Sequence, residues 1–171
     1  SMKVDISYYK AGSRKGQVRK NHVVCSERDA WNADWTIAQM VLPLLLQVKK
    51  DKQGAPFVDD VYVPEELRST ACAPKENKWD TDDNWFKRYQ YVLDEIIFAM
   101  QEVANDYENE PNMFEKVREM TLSEIDPKTM TGELDTGLEI IPHMGALNKA
   151  YHARMQNGLM LFGVFFTSLW T

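Results

Sequence analysis

The sequence predicts a mainly α, α+β fold: a helical bundle of three principal helices carrying an N-terminal β-hairpin. Three observations predict it. Apolar residues recur at helical spacing over residues 34–50, 81–107 and 147–169. β-branched and aromatic residues alternate in "VDISYY" at 4–9 and again crowd "VRKNHVVC" at 18–25, around a polar tip with two glycines. The length of 171 residues suits a single domain over 1–171.

The hairpin over 2–25 comes first. Val4, Ile6 and Tyr8 share one face of its first strand. Two strands alone are marginal in water, so this hairpin needs a helix, another strand or another chain to cover it. The first principal helix has a stripe of Trp35, Ala38, Val41, Leu42, Leu45 and Val48, widened almost all round by Met40, Leu44 and Leu46. Such a helix is central in a core or lies at a subunit interface. Pro43 stands in its middle, where it removes a donor and should kink or restart the helix.

Residues 54–79 form a loop spotted with Pro56, Pro64 and Pro74, with "PEELRS" at 64–69 set up for a helical turn that starts on its proline. The second principal helix is the clearest: Asp80 or Thr81 caps it, and Trp85, Tyr89, Val92, Leu93, Ile96, Met100, Val103 and Tyr107 follow at steps of three and four. Residues 108–145 read as an irregular insertion, with a short helix at "PNMFEKVREMTLSEI" and a short strand near 138–141. The last helix places Leu147, Tyr151, Met155, Leu159, Phe162, Phe166 and Trp170 on one face. Its Gly158 and Gly163 each cost about 1 kcal/mol against alanine and so mark close approach of a neighbouring helix.

Charge and cysteine content narrow the function classes. The net charge of −6 excludes bulk duplex DNA as a partner. It is unevenly spread: residues 1–25 carry +5, leaving −11 on the rest. A basic hairpin on an acidic body meets either its own body or an acidic partner. Cys25 and Cys72 lack metal-knuckle spacing and fit a reducing compartment. No secretory signal pattern is visible, and the longest apolar run, "MVLPLLL" at 40–46, is too short to span a bilayer, so no membrane is expected.

Few motifs carry chemistry. "DTDDNWFKRYQY" starting at Asp80 has acids at calcium-loop positions, but Trp85 and Tyr91 stand where the loop needs glycine and glutamate, and helix capping explains the acids better. His22, His143 and His152 lack the Glu three residues earlier that a di-metal bundle uses. Asp94 and Glu95 point about 100° apart on a helix and form no dyad; at least one should pair with an arginine, Arg154 being the candidate. Nucleophile elbows, phosphate loops and dinucleotide fingerprints are absent from the sequence. No cofactor is expected. What stands out is a set of cations and aromatics: Arg68, Lys75, Lys78, Trp79, Trp85, Lys87 and Arg88. Such groups hold phosphates and stack bases. Asp80, Asp82 and Asp83 lie among them and repel anions, and the alternative is that Trp79 staples the loop to the second helix while the charges pair internally.

Three blocks, "WNADWTIAQMVLPLLLQVKKDKQGAPFVDDVYVPEELRST", "KENKWDTDDNWFKRYQYVLDEIIFAMQE" and "RMQNGLMLFGVFFTSLW", resemble a family of conserved proteins of tailed bacteriophages to which no catalytic residues are assigned. Val164, Phe165, Phe166 and Thr171 depart from the pattern at the end of the third block. The resemblance implies a phage protein made in the host (bacterial) cytoplasm, with a role against host defence. It points to a non-enzymatic protein that sequesters a small anionic nucleotide ligand, a cyclic oligonucleotide or a cyclic ADP-ribose type of immune signal. Arg68, Lys75, Lys78 and Arg88 would hold phosphates, Trp79 or Trp85 would stack a base, Asn84 would read a base edge, and Arg154 completes the set. The alternatives are a protein–protein inhibitor of a host defence protein, acting through the hairpin or the first helix, and a phage accessory or structural protein. The wide apolar face of the first helix and the unpaired hairpin edges also predict a homo-oligomer.

Overall fold

The structure is a computed structural model and describes residues 1–112 and 133–171, with side chains described outside 113–144. Strands β1 (Lys3–Tyr8) and β2 (Val18–Val24) pair antiparallel, with Val4 opposite Val23 and Ile6 opposite Asn21. The register shifts between Ser7 and Tyr8, which brings Tyr8 opposite Val18. Gly12 and Gly16, both at φ +82°, turn the tip in a region that side chains disfavour. The Gly16 amide donates to the Tyr9 carbonyl at 2.9 Å and closes it. No strand residue is buried.

Helix α1 (Glu27–Trp31) begins in a capping box, in which the Ser26 amide donates to Asp29 at 2.8 Å. Helix α2 (Ala33–Asp51) then runs through Pro43 as one continuous helix, without the restart the proline suggested. Single 3₁₀ turns at Asp60–Tyr62, Glu65–Leu67 and Ser69–Ala71 punctuate the loop that follows. The turn at "PEELRS" is thus tighter than a helix and has Pro64 at its cap.

Helix α3 (Trp85–Ala104) is the centre of the molecule and packs against α2 on one side and α4 (Glu133–Val164) on the other. Tyr89, Val92, Leu93, Ile96, Met100 and Val103 are all buried, as their spacing predicts. Each full burial of such a side chain is worth about 1.5–3 kcal/mol. The helix starts several residues later than the expected caps. Asp80 and Thr81 lie in the preceding loop and Asn84 holds the cap position, because Asp82 is drawn into an ion pair described below.

The last helix corrects two expectations. It begins at Glu133, so the strand expected near 138–141 is helix; the short helix expected at 111–125 falls almost wholly outside the described residues. Its buried face is Tyr151, Met155, Gly158, Leu161 and Phe165, whereas Leu147, Leu159, Phe166 and Trp170 are exposed. The face is rotated from the expected one because glycine, not a large side chain, occupies the contact. A Cβ on Gly158 would sit 2.4 Å from the Glu95 carbonyl oxygen and 2.7 Å from the Ala99 Cβ. Gly163, also expected at a contact, faces open space.

Side chains tie down the far end of α3. Trp35 Nε1 and Gln39 Nε2 both donate to the Ala104 carbonyl, at 3.1 and 2.9 Å. The chain then reverses through Asp106 and Tyr107, at φ +52° and +58°, with the Tyr107 amide on the Glu102 carbonyl at 2.7 Å. Among the described residues, no helix is long and apolar enough to cross a membrane.

Candidate functional site

The proline-spotted loop 54–84 wraps the start of α3, and Arg88 is the hub that holds it. The guanidinium forks onto Asp82, with Nη1 3.0 Å from Oδ1 and Nη2 2.7 Å from Oδ2. Nη1 also donates to the Leu67 carbonyl at 3.2 Å. Asp82 Oδ1 further accepts from the Asn84 amide at 2.9 Å and the Cys72 thiol at 3.5 Å. The Arg88 hydrogen bond is the largest influence on Asp82 and outweighs burial, so this carboxyl is held below its usual range. The same bond raises Arg88 further above its own.

Other side chains of the expected site fasten the same loop. Asn84 Nδ2 donates to the Glu66 carbonyl at 3.2 Å and reaches the Arg68 carbonyl at 3.5 Å. Arg68 Nε donates to the Val63 carbonyl at 3.3 Å, and Trp85 Nε1 to the Ala55 carbonyl at 3.2 Å. Asp60 takes both the amide and the hydroxyl of Ser69, and these bonds lower its carboxyl. A cleft of about 280 Å³ opens beside this cluster. Phe57 and Trp85 form its aromatic wall with ring centroids 6.0 Å apart, and Lys75 is at its edge. Asp59, Asp60, Asp80 and Asp82 line the rest, so carboxylates outnumber cations there.

The structure therefore brings Arg68, Asn84, Trp85 and Arg88 together, with Lys75 on the same cleft, but turns the Arg88 fork onto Asp82 and Leu67, and Arg68 Nε, Asn84 Nδ2 and Trp85 Nε1 onto backbone carbonyls. Lys78 and Trp79 are not among the lining residues. Trp79 is 88% exposed, with Lys78 Nζ 5.8 Å from its ring, so the loop neither staples the indole to α3 nor folds it into a wall. Arg154 lies elsewhere. Its Nε and Nη2 donate to Glu95 at 2.9 and 3.0 Å, two turns along α3 from Arg88, and its guanidinium lies 3.7 Å from the Phe98 centroid. The expected pairing of Arg154 with Asp94 or Glu95 is thus to Glu95, while Asp94 takes Lys49 at 2.7 Å.

The sequence reading offered internal charge pairing as its alternative but put Asp82 down to helix capping and did not name it as the arginine's partner, and it missed Phe57 and the Asp59–Asp60 pair as cleft walls. The signal was a buried-face arginine six residues after an aspartate, a spacing too long for a helix pair and therefore the mark of a loop folding back. No group of three or more His, Cys, Asp or Glu side chains able to hold a metal occurs among the described residues. Outside this region, an open groove of about 1100 Å³ runs along the corner between α1 and α2, lined by Trp31, Trp35, Arg28 and Thr36. Comparison with protein-family models, with curated proteins and with solved structures finds no match to the chain.

Proposed function

We propose that the chain acts by binding another protein, without catalysis, the contact being made by α1 and α2. One observation carries this reading: the apolar surface left open there. Trp31 is 87% exposed beside the groove, and Leu44, 67% exposed, forms with Ile37 a second apolar stripe on α2, about 100° round the helix from the Ala38–Leu45 face that enters the core. Tryptophan is among the residues most enriched in the few positions that dominate protein interfaces. In the phage context that the sequence resemblance suggests, the partner would be a host defence protein and the compartment the host cytoplasm.

Capture of a small nucleotide-derived signal is the competing reading. The exposed Lys78–Trp79 pair favours it, since a free indole beside a cation suits base stacking and phosphate contact. The carboxylates around the cleft and the internal use of Arg68, Arg88 and Arg154 weigh against it.

The two readings separate in one experiment. The wild-type chain, a Trp31→Glu/Leu44→Glu variant and a Trp79→Ala variant are compared for copurifying host protein and for stabilisation by cyclic oligonucleotides and cyclic ADP-ribose isomers. Protein contact requires a stoichiometric partner that the first variant loses and the second keeps. A nucleotide that raises Tm by several degrees and is lost with Trp79→Ala would overturn it.

A further inference from the structure

The hairpin and the acidic cleft are both uncovered in the single chain. Val4, Tyr8, Val18 and Val23 stand about half exposed, and the aromatic wall residue Phe57 is 66% exposed. A two-stranded ribbon with an open apolar face and two free edges is not a stable end state in water. Within the hairpin, Asp5 takes Lys20, while Lys10, Arg14, Lys15 and Arg19 make no ion pair among the described residues. Arg14 lies against the Tyr9 ring instead, 4.5 Å from its centroid. Residues 59–83, by contrast, carry eight carboxylates against three cations, and with Arg88 paired to Asp82 a net of −4 faces the +5 of residues 1–25. Asp59, Asp80 and Asp83 are exposed there.

The cleft sets Asp59 and Asp80 beside the Phe57–Trp85 wall. Carboxylates beside aromatic faces ask for a cation, and a basic turn supplies it. Edge-to-edge pairing of two hairpins, the other way to cover them, would bring two +5 segments together.

We infer that the hairpin tip of one copy of this chain docks on the loop 59–83 of a second copy, seating a tip cation (Arg14, Lys15 or Arg19) between the Phe57–Trp85 wall and Asp59 and Asp80. The contact joins two different patches, so it closes as a reciprocal dimer when each hairpin reaches the other's cleft, or as a larger ring. It uses a surface separate from the α1–α2 face assigned above and stands independently of that reading.

The test is a charge swap on the full chain, read by light scattering. Wild type should have at least twice the 19.8 kDa mass of one chain. Its dissociation constant should rise about tenfold or more between about 0.1 M and about 1 M salt, as screening shortens from about 10 Å to about 3 Å. Arg14→Glu/Lys15→Glu/Arg19→Glu and Asp59→Lys/Asp80→Lys/Asp83→Lys should each be monomeric with unchanged circular dichroism. Mixed one to one, they should restore the wild-type mass, because the reversed hairpin of one now fits the reversed loop of the other. A monomeric wild type overturns the inference. So do charge-swapped variants that stay oligomeric alone, which would place the contact on α2, and folded variants that fail to associate when mixed.

Discussion

Arg88 and Asp82 form a two-bonded fork at 3.0 and 2.7 Å, six residues apart in sequence, with both side chains almost out of solvent. That pair, rather than a bound ligand, explains why an arginine sits on the core-facing side of α3. It anchors a loop of some thirty residues that otherwise has only single 3₁₀ turns for regular structure. Removing one member of a buried pair leaves the other uncompensated and costs about 3–5 kcal/mol. Arg88→Ala is expected to lose that much in urea unfolding. Arg88→Lys should recover little of it, since an ammonium cannot make the fork and also reach the Leu67 carbonyl.

The pair also sets an acid dependence. Asp82 has a folded-state pKa below its unfolded value, chiefly through Arg88. Its stabilisation is therefore complete above the unfolded carboxyl range and is lost as pH falls through the folded value. Asp82→Asn should be less stable than wild type at neutral pH, and the gap should narrow progressively below about pH 4, where the Asp82 carboxyl of the unfolded chain binds a proton that the folded chain still refuses. A gap that stays constant down to the acid transition would show that the charge of Asp82 is not what stabilises the loop.

At the opposite end of α3, buried Glu102 accepts from the Tyr151 hydroxyl at 2.8 Å and from Asn109 Nδ2 at 2.6 Å. Burial opposes its charged form, but these bonds outweigh burial and keep its carboxyl below the ordinary value. Burial and the neighbouring carboxylate push the Tyr151 phenol far above its usual range. Tyr151→Phe, which removes one bond to a charged acceptor, should cost about 1.5–3 kcal/mol. Burial also raises the phenols of Tyr89, Tyr91 and Tyr107, so in an ultraviolet titration of the folded chain the late-ionising signal should shrink by one tyrosine in the variant.

The fold was legible where burial and periodicity coincide. The α3 stripe is a 3.6-residue pattern uninterrupted by glycine, and six of the eight residues its spacing names, Tyr89 to Val103, are buried; Trp85 is half-buried at the start, and Tyr107 lies beyond the end of the helix, exposed. On and just beyond α4 the same method picks Leu159 and Phe166, both exposed, because hydrophobic spacing passes over Gly158, where the missing Cβ lets α3 approach. The candidate site was legible in composition but not in use. Arg68, Arg88 and Asn84 look like ligand donors in a one-dimensional string; in three dimensions a loop poor in regular structure must satisfy its carbonyls, and these side chains do so at Val63, Leu67 and Glu66. Trp79 was misread for a related reason. An indole in a polar segment implies a cover, but nothing in the local sequence says whether that cover belongs to the same chain.

The two α4 glycines give a prediction of opposite signs. An alanine Cβ at 158 meets the Glu95 carbonyl oxygen at 2.4 Å, and that atom belongs to the α3 backbone and cannot swing aside. Overpacking of this kind costs about 1–3 kcal/mol, against about 1 kcal/mol returned by alanine's helix propensity. Gly158→Ala should therefore destabilise, by up to about 2 kcal/mol net if the helices cannot separate. Gly163→Ala faces open space and should stabilise by up to about 1 kcal/mol. Equal melting shifts for the two variants would refute the close packing of α3 on α4.

Arg154 offers the sharpest comparison between structural and ligand-binding use of one side chain. It is half exposed, so its two bonds to Glu95 are screened by water and are worth about 0.2–1 kcal/mol as an ion pair. The stacking on Phe98 adds about 0.5–1 kcal/mol. A double-mutant cycle of Arg154→Ala with Glu95→Gln should give a coupling within the ion-pair range. Phe98→Leu in the Arg154→Ala background should cost less than in wild type, because the stacked cation is already gone. A side chain held in reserve for a phosphate would behave otherwise: Arg154→Ala would leave Tm unmoved, and the cycle would show no coupling to Glu95. Coupling to both neighbours means that the guanidinium is committed to the α3–α4 packing, and an anionic ligand could recruit it only by breaking the contact that holds α4 in place.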